Sequence, residues 1–260
     1  MSALASIYAD DLHHNFKTLY ATWPPNTSVR LGDYGVLQGN IFVRLANVAD
    51  SYNLPFKERK DTKRTGNYDY ASADSTDVEF HASGSVATGG PPLKASLDIS
   101  FSSENAVFFN AASCVPVSIE DQMDFGNKIM SFYQAGRWEK KFVVVTGLLE
   151  SANATVIVSG SSNSSISLEA SSDKVLNIDL ADASLKLAIR RAKNVAFKVI
   201  TESGLVPLIS LSKVQGSIFD DDSFGPQTGR LVAPLESEKT PEPMLIKRPN
   251  GDIELFGLVR

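Results

Sequence analysis

A chain of 260 residues, 43% hydrophobic and 21% charged, is long enough to bury a sizeable core in one large or two small units, and its composition excludes both disorder and an integral membrane protein. The net charge of −5 argues against nucleic acid as a partner by overall field, and the single cysteine, Cys114, excludes an internal disulfide framework and a multi-cysteine zinc site, in keeping with a reducing compartment. No 18 apolar residues run together, and residues 1–20, with Asp10, Asp11, His13 and His14 among their apolar positions, lack the features of a secretion signal, so the chain reads as cytoplasmic.

In chain order, Leu4, Ile7, Tyr8, Leu12, Phe16, Leu19 and Tyr20 recur at helical spacing behind Ser2, which predicts an amphipathic helix over 3–20, ended by Pro24 and Pro25. Val29 to Val48 reads as strands punctuated by Gly32, Gly35 and Gly39. Lys57 to Arg64 is a polar, mostly basic connection. Val78, Phe80, Ala82, Gly84 and Val86 then alternate with polar residues, Gly89 to Pro92 supplies a turn, and Leu93, Ala95, Leu97, Ile99 and Phe101 return with apolar residues at every odd position. A period of two is the mark of a strand, so this is a first hairpin.

Ser118 followed by Asp121 predicts a capped helix with Ile119, Met123, Ile129, Met130 and Tyr133 on one face, ending near Gly136 and weakened by Gly126. The near-continuous apolar run Phe142 to Val145 suits a strand covered on both faces. It leads through Val156 and Val158 to a tip at Ser159 to Asn163, and Ile166, Leu168, Ala170, Leu176, Ile178 and Leu180 return as a second long hairpin that carries no charge from Ser151 to Leu168. A phase slip at Ala181–Asp182 marks a bulge or corner. Strands continue through Leu187, Val195, Phe197 and Ile209 to Val214, loops follow at 220–226 and 236–243, and Met244 to Ile246 with Ile253 to Leu258 form a terminal hairpin.

The expected class is α+β, a central mixed, mostly antiparallel twisted sheet with long hairpins and a few packing helices. Residues 1–214 form one domain, and 215–260 supply a loop and hairpin, a candidate regulatory tail.

An N-terminal amphipathic helix, two Ser-rich alternating hairpins separated by a helix, the strand Ala196-Phe197-Lys198-Val199 and a short C-terminal extension together resemble the layout of a gasdermin-type pore-forming domain over roughly residues 1–214. The resemblance implies a protein that is soluble and cytoplasmic as made, then moves to a membrane on activation and oligomerises into a β-barrel in cell death. Its membrane-spanning hairpin candidates are Val78, Phe80, Leu93, Leu97, Ile99, Phe101, Val156, Val158, Ile166 and Leu168. Its lipid-headgroup candidates are Lys186, Arg190, Arg191, Lys193 and Lys198, each contributing about 1 kcal/mol near an anionic surface. The partners implied are membrane lipids, further copies of the chain and an activating protease that removes a tail such as Val232 to Arg260. The sequence departs from that family in having no N-terminal cysteine and an acidic first helix.

No catalytic constellation is visible. There is no Gly-x-Ser-x-Gly elbow, no phosphate loop of the Gly-x-x-x-x-Gly-Lys form and no His-Glu-x-x-His pair. His13, His14 and His81 do not make a metal site by spacing, Cys114 with His81 is the one conceivable nucleophile and base, and Asp220-Asp221-Asp222 lacks the spaced ligands of a calcium loop. The sequence therefore predicts no enzyme, no cofactor and no metal, with a non-enzymatic α+β binding or scaffold module as the alternative to a pore former.

Overall fold

The computed structural model describes residues 3–63, 65–83, 94–170, 178–182, 184–216, 222–227, 244–247 and 253–256. In chain order the elements are α1 (Ala3–Phe16), β1 (Tyr20–Ala21), β2 (Asp33–Gln38), β3 (Ile41–Asn47), α2 (Val48–Tyr52), β4 (Glu58–Lys60), β5 (Gly66–Ala71), β6 (Thr76–Ser83), β7 (Lys94–Phe101), β8 (Val107–Ile119) and α3 (Gln122–Gln134). There follow β9 (Phe142–Ser151), β10 (Asn153–Ser159), β11 (Ser164–Ala170), β12 (Leu187–Lys193), β13 (Val195–Glu202), β14 (Leu205–Gln215), β15 (Ser223–Pro226), β16 (Met244–Lys247) and β17 (Ile253–Phe256). Strands dominate, so the expected α+β class is corrected to a mostly β architecture with three helices among the described residues.

Two compact units share the chain. The first, Met1–Gly66 with Cys114–Ser151 and Gly204–Leu231, holds all three helices. Its centre is β9, paired antiparallel with β14 through Leu211↔Val145 and Ile209↔Leu148 and with β8 through Val117↔Leu148. Val143, Val144 and Val145 are buried in succession, as the unbroken apolar run requires of a strand covered on both faces. They join Ile209, Leu211, Val117 and Ile119 in one core with Phe125 and Ile129 of α3. Beside it the rings of Tyr34, Tyr52, Phe132, Trp138 and Phe142 lie 5.1–5.5 Å apart in tilted and edge-on pairs, with the Arg137 guanidinium 4.9 Å above Phe132.

Local chemistry sets the ends of these elements. The first helix stops at Phe16 and not at Tyr20, because Lys17 takes a left-handed φ of 53° and its N–H donates back to the His13 carbonyl at 2.7 Å. Tyr20 is thereby released to pair with Ile209 of β14. Asn47 caps α2 by accepting from the Ala49 N–H at 3.0 Å, while its amide donates to buried Asp33 at 3.0 Å. Asp33 also accepts from the Arg30 N–H and pairs with the Arg44 Nε, both at 3.0 Å. This is how a 1%-exposed carboxylate is tolerated.

The second unit, Asn67–Ser113 with Ala152–Ser203 and Val232–Arg260, is a β-sandwich. One layer is the first half of β8 with β10 and β13, in register Phe108↔Ile157↔Lys198. The other runs β12-β11-β7-β6-β16-β17. Leu97, Ile99, Ile166 and Leu168 meet Phe108 and Ile157 in a core between them. The alternation along β7 is realised as read: Ala95, Leu97, Ile99 and Phe101 are buried, and β6 pairs with it from Thr76↔Phe101 to Ser83↔Lys94.

The second long hairpin is not formed among the described residues. β10 pairs with β8 and β13, whereas β11 pairs with β7 and β12, so the turn at 160–163 is a corner between the two layers. Ser164 builds that corner, accepting from the N–H groups of Gly160 at 3.2 Å and Ser161 at 3.0 Å and donating to the Asn194 carbonyl at 2.6 Å. Ser161 and Ser164, two of the serines that gave the segment its uncharged character, are spent on the turn. Residues 223–226, expected as loop, form β15 against β14, and 58–60, expected as a free connection, pair with β8. The terminal hairpin is present as β16 with β17.

Candidate functional site

A cleft of about 830 Å³ opens in the first unit between Pro55–Lys57 and the segment Ile119–Phe125. β4 holds the two walls in place through its pairing with β8, Glu58↔Ile119 and Arg59↔Ser118, and the ladder is extended when the Glu120 N–H donates to the Lys57 carbonyl at 2.9 Å. The chain then turns into α3. Asp121 is the cap, its carboxylate accepting from the Asp124 N–H at 2.9 Å. Ser118, read as the capping residue, stays in the strand because Arg59 pairs with it.

The cleft's apolar side is Phe56, Ile119 and Phe125, with the Phe56 and Phe125 rings edge-on at 5.7 Å. Phe56 reaches this position because Gly32, at φ +75°, leaves room where a Cβ would sit 2.5 Å from its ring. The rim carries Glu120, Asp121 and Asp124 against Lys57, and Met123 stands 80% exposed at its edge. Asp124 is also bridged to Lys128 at 2.7 Å, one turn along the helix. A volume of this size suits a small organic ligand. An apolar floor under a carboxylate rim suits one with a positive charge on an apolar body.

The residues singled out from sequence lie elsewhere. Val78, Leu97, Ile99, Phe101, Ile166 and Leu168 form the sandwich core with Phe80 packed against it, and Val156 and Val158 are fully buried on β10. Leu93 lies outside the described residues. Arg190, Arg191 and Lys193 are exposed on β12, Lys198 is exposed on β13, and Lys186 is exposed ahead of them. At the Ser167/Leu168 bulge, Arg190 is the extra residue between the Arg191 and Ile189 partners.

Cys114 is buried and bonded to Ser151, and burial pushes its thiol up to about 11, the opposite of an activated nucleophile. His81 sits instead between Asp98 at 3.1 Å and Glu79 at 3.5 Å, and Ser167 donates to the same Asp98. His13 is buried, stacked on Tyr20 at 4.2 Å with its Nδ1 2.8 Å from the Leu19 carbonyl. Asp222 accepts from the Lys140 Nζ at 2.5 Å and from the Tyr133 hydroxyl at 2.8 Å, which holds its carboxyl below the usual range. Asp220 and Asp221 lie outside the described residues. No group of three or more His, Cys, Asp or Glu side chains is placed to hold a metal among the described residues.

A model of the ubiE/COQ5 methyltransferase family matches residues 110–224. The match spans under half of the chain and takes in most of β8, α3, the Ile119–Phe125 wall of the cleft and β9 to β14. No curated protein matches. The family match overturns the gasdermin-like reading, the pore-forming function and cell-death role drawn from it, and the expectation of a non-enzyme; the non-enzymatic binding module has no support either. No helix among the described residues is long and apolar enough to cross a membrane. Over 110–224 the strand registers described are antiparallel, unlike the parallel sheets that bind ligands at the carboxyl ends of their strands, and the segment lines a cavity at the α3 cleft.

Proposed function

We propose that the chain is an enzyme of the methyl-transfer class and that its small-molecule site is the cleft between Phe56 and the first turn of α3. The family match over 110–224, which includes one wall of that cleft, carries the reading. The site's own chemistry suits an onium methyl donor, a methyl group on positively charged sulfur or nitrogen, and such a donor supplies an activated carbon when bound. Glu120, Asp121 and Asp124 attract the cation, while Phe56 and Phe125 cover its apolar body and exclude water.

Because the positive charge is lost as the methyl leaves, these carboxylates hold the charged reactant more tightly than the transition state or the neutral product. They therefore act on donor affinity and product release more than on the chemical step. The experiment is titration of the protein with an onium donor by calorimetry, followed by transfer assays with isotope-labelled methyl. Glu120→Gln with Asp124→Asn is expected to weaken donor binding about tenfold, which is about 1.4 kcal/mol, with a smaller change in kcat. Absence of donor binding at millimolar concentration overturns the reading.

A further inference from the structure

Gly126 sits inside α3, where glycine costs about 1 kcal/mol relative to alanine. The reason is Phe224. A Cβ at Gly126 would lie 2.7 Å from the Phe224 Cδ1 and 3.4 Å from its Cγ, so the ring of β15 occupies the place a side chain would take. Phe224 then meets Phe125 edge-on with ring centres 6.1 Å apart, and Phe125 meets Phe56 at 5.7 Å. Phe125 and Phe56 line the cleft. A continuous line of three rings thus runs from β15 to the cleft wall.

The residue just ahead of this short strand grips the helix a second time. Tyr133 stands seven residues beyond Gly126, which is two turns and the same face of the helix. Its hydroxyl donates to Asp222 at 2.8 Å, and Lys140 Nζ completes the clamp at 2.5 Å. On its other side β15 is bonded to a core strand, from Gln215↔Ser223 to Ser212↔Pro226, and the Gln227 N–H donates to the Leu211 carbonyl at 2.7 Å. β15 is therefore tied to β14 by backbone and to α3 by one ring, and the Asp222 carboxylate just ahead of it adds a second tie to α3.

We infer that β15 is a strap that fixes α3 from the side and so sets the shape of the ligand cleft at the helix N-terminus, with Phe224 as a positioning residue; the inference rests on that cleft being the site. Loss of the ring frees Phe125 to move and loosens the first turn. Loss of the Asp222 clamp frees the far end of the helix and reaches the cleft less.

Three readouts test this. The first is a mutant cycle on thermal stability. Gly126→Ala alone forces a methyl into the ring and lowers the melting temperature. In a Phe224→Ala background the same change fills vacated space and adds helix propensity, so it raises the melting temperature. Equal destabilisation in both backgrounds overturns the contact.

The second readout is amide exchange of Asp124 and Phe125, whose N–H groups donate to the Asp121 carboxylate and carbonyl. Phe224→Ala is expected to speed their exchange about tenfold or more under conditions where β11 of the other unit is unchanged, and Asp222→Asn to speed it by less. Unchanged exchange in Phe224→Ala overturns the strap even if the variant is less stable overall. Donor affinity is then compared between wild type and Phe224→Ala, with a fall of about tenfold expected. If the wild type binds no donor, the site fails while the exchange result still judges the strap.

Discussion

In one unit helices cover a sheet; in the other a second sheet does so. The difference is written in the strands. Val143 to Val145 are apolar without interruption, so both faces of β9 need cover, and helix α3 with the aromatic cluster supplies part of it. β7 and β11 alternate, so one face enters the sandwich core and the other shows Ser96, Asp98, Ser165 and Ser167. The lesson is where a ligand cleft arises. A helix that begins where a strand ends leaves a re-entrant corner at its N-terminus, and among the described residues the helices lie in the first unit.

The largest expected effect comes from breaking the sandwich. Phe108→Ala removes a 1%-exposed ring between the two layers and is expected to cost about 3–5 kcal/mol, read as a lower urea midpoint for the β-sandwich signal. If the first unit's transition falls by as much, the two do not differ in the way their cores suggest. Next comes Asp33→Ala in the helical unit, which strands the Arg30 N–H and one N–H of the Asn47 amide and frees Arg44; a loss of about 2–3 kcal/mol is expected by chemical denaturation. Asp33→Asn should recover part of it.

Burial that raises the Cys114 thiol from its ordinary 9.0 to about 11 predicts a pH effect of similar size. The fold prefers the protonated thiol, so this contribution is intact below about pH 9 and is lost as the pH climbs toward 11, in total about 2–3 kcal/mol. Cys114→Ala should flatten that part of the alkaline stability profile, and the native thiol should resist modification by a disulfide reagent until the chain unfolds. The smallest effect is at the cleft's edge. Lys128→Ala removes a bridge to Asp124 and is expected to cost about 0.3–0.5 kcal/mol, diminished by salt.

What was legible in the sequence was local. The alternation of Leu93 to Phe101 gives β7 and its buried face, and the 122–134 helix follows from its apolar spacing, although its cap is Asp121 and not the Ser118 that the sequence pointed to. Pairing was not legible. Residues 154–170 read as one ribbon folded at Ser159 to Asn163, yet a period of two fixes which face is buried and says nothing about which strand lies alongside. The cleft was invisible for a related reason. Its walls, Pro55–Lys57 and Ile119–Phe125, are brought together by β4, three charged residues with no strand signature. The one available signal was Gly126, which weakened the helix on paper and is explained only by Phe224 almost a hundred positions later.

Both tryptophans, Trp23 and Trp138, belong to the helical unit, and Trp138 is only 2% exposed within its aromatic cluster. Intrinsic emission excited at the red edge of indole absorption will therefore follow that unit and be blind to the sandwich, whose melting is tracked through far-ultraviolet dichroism. The chain carries its own built-in spectroscopic partition, and a lag between those two signals during heating would resolve the order in which its halves come apart without a single added label.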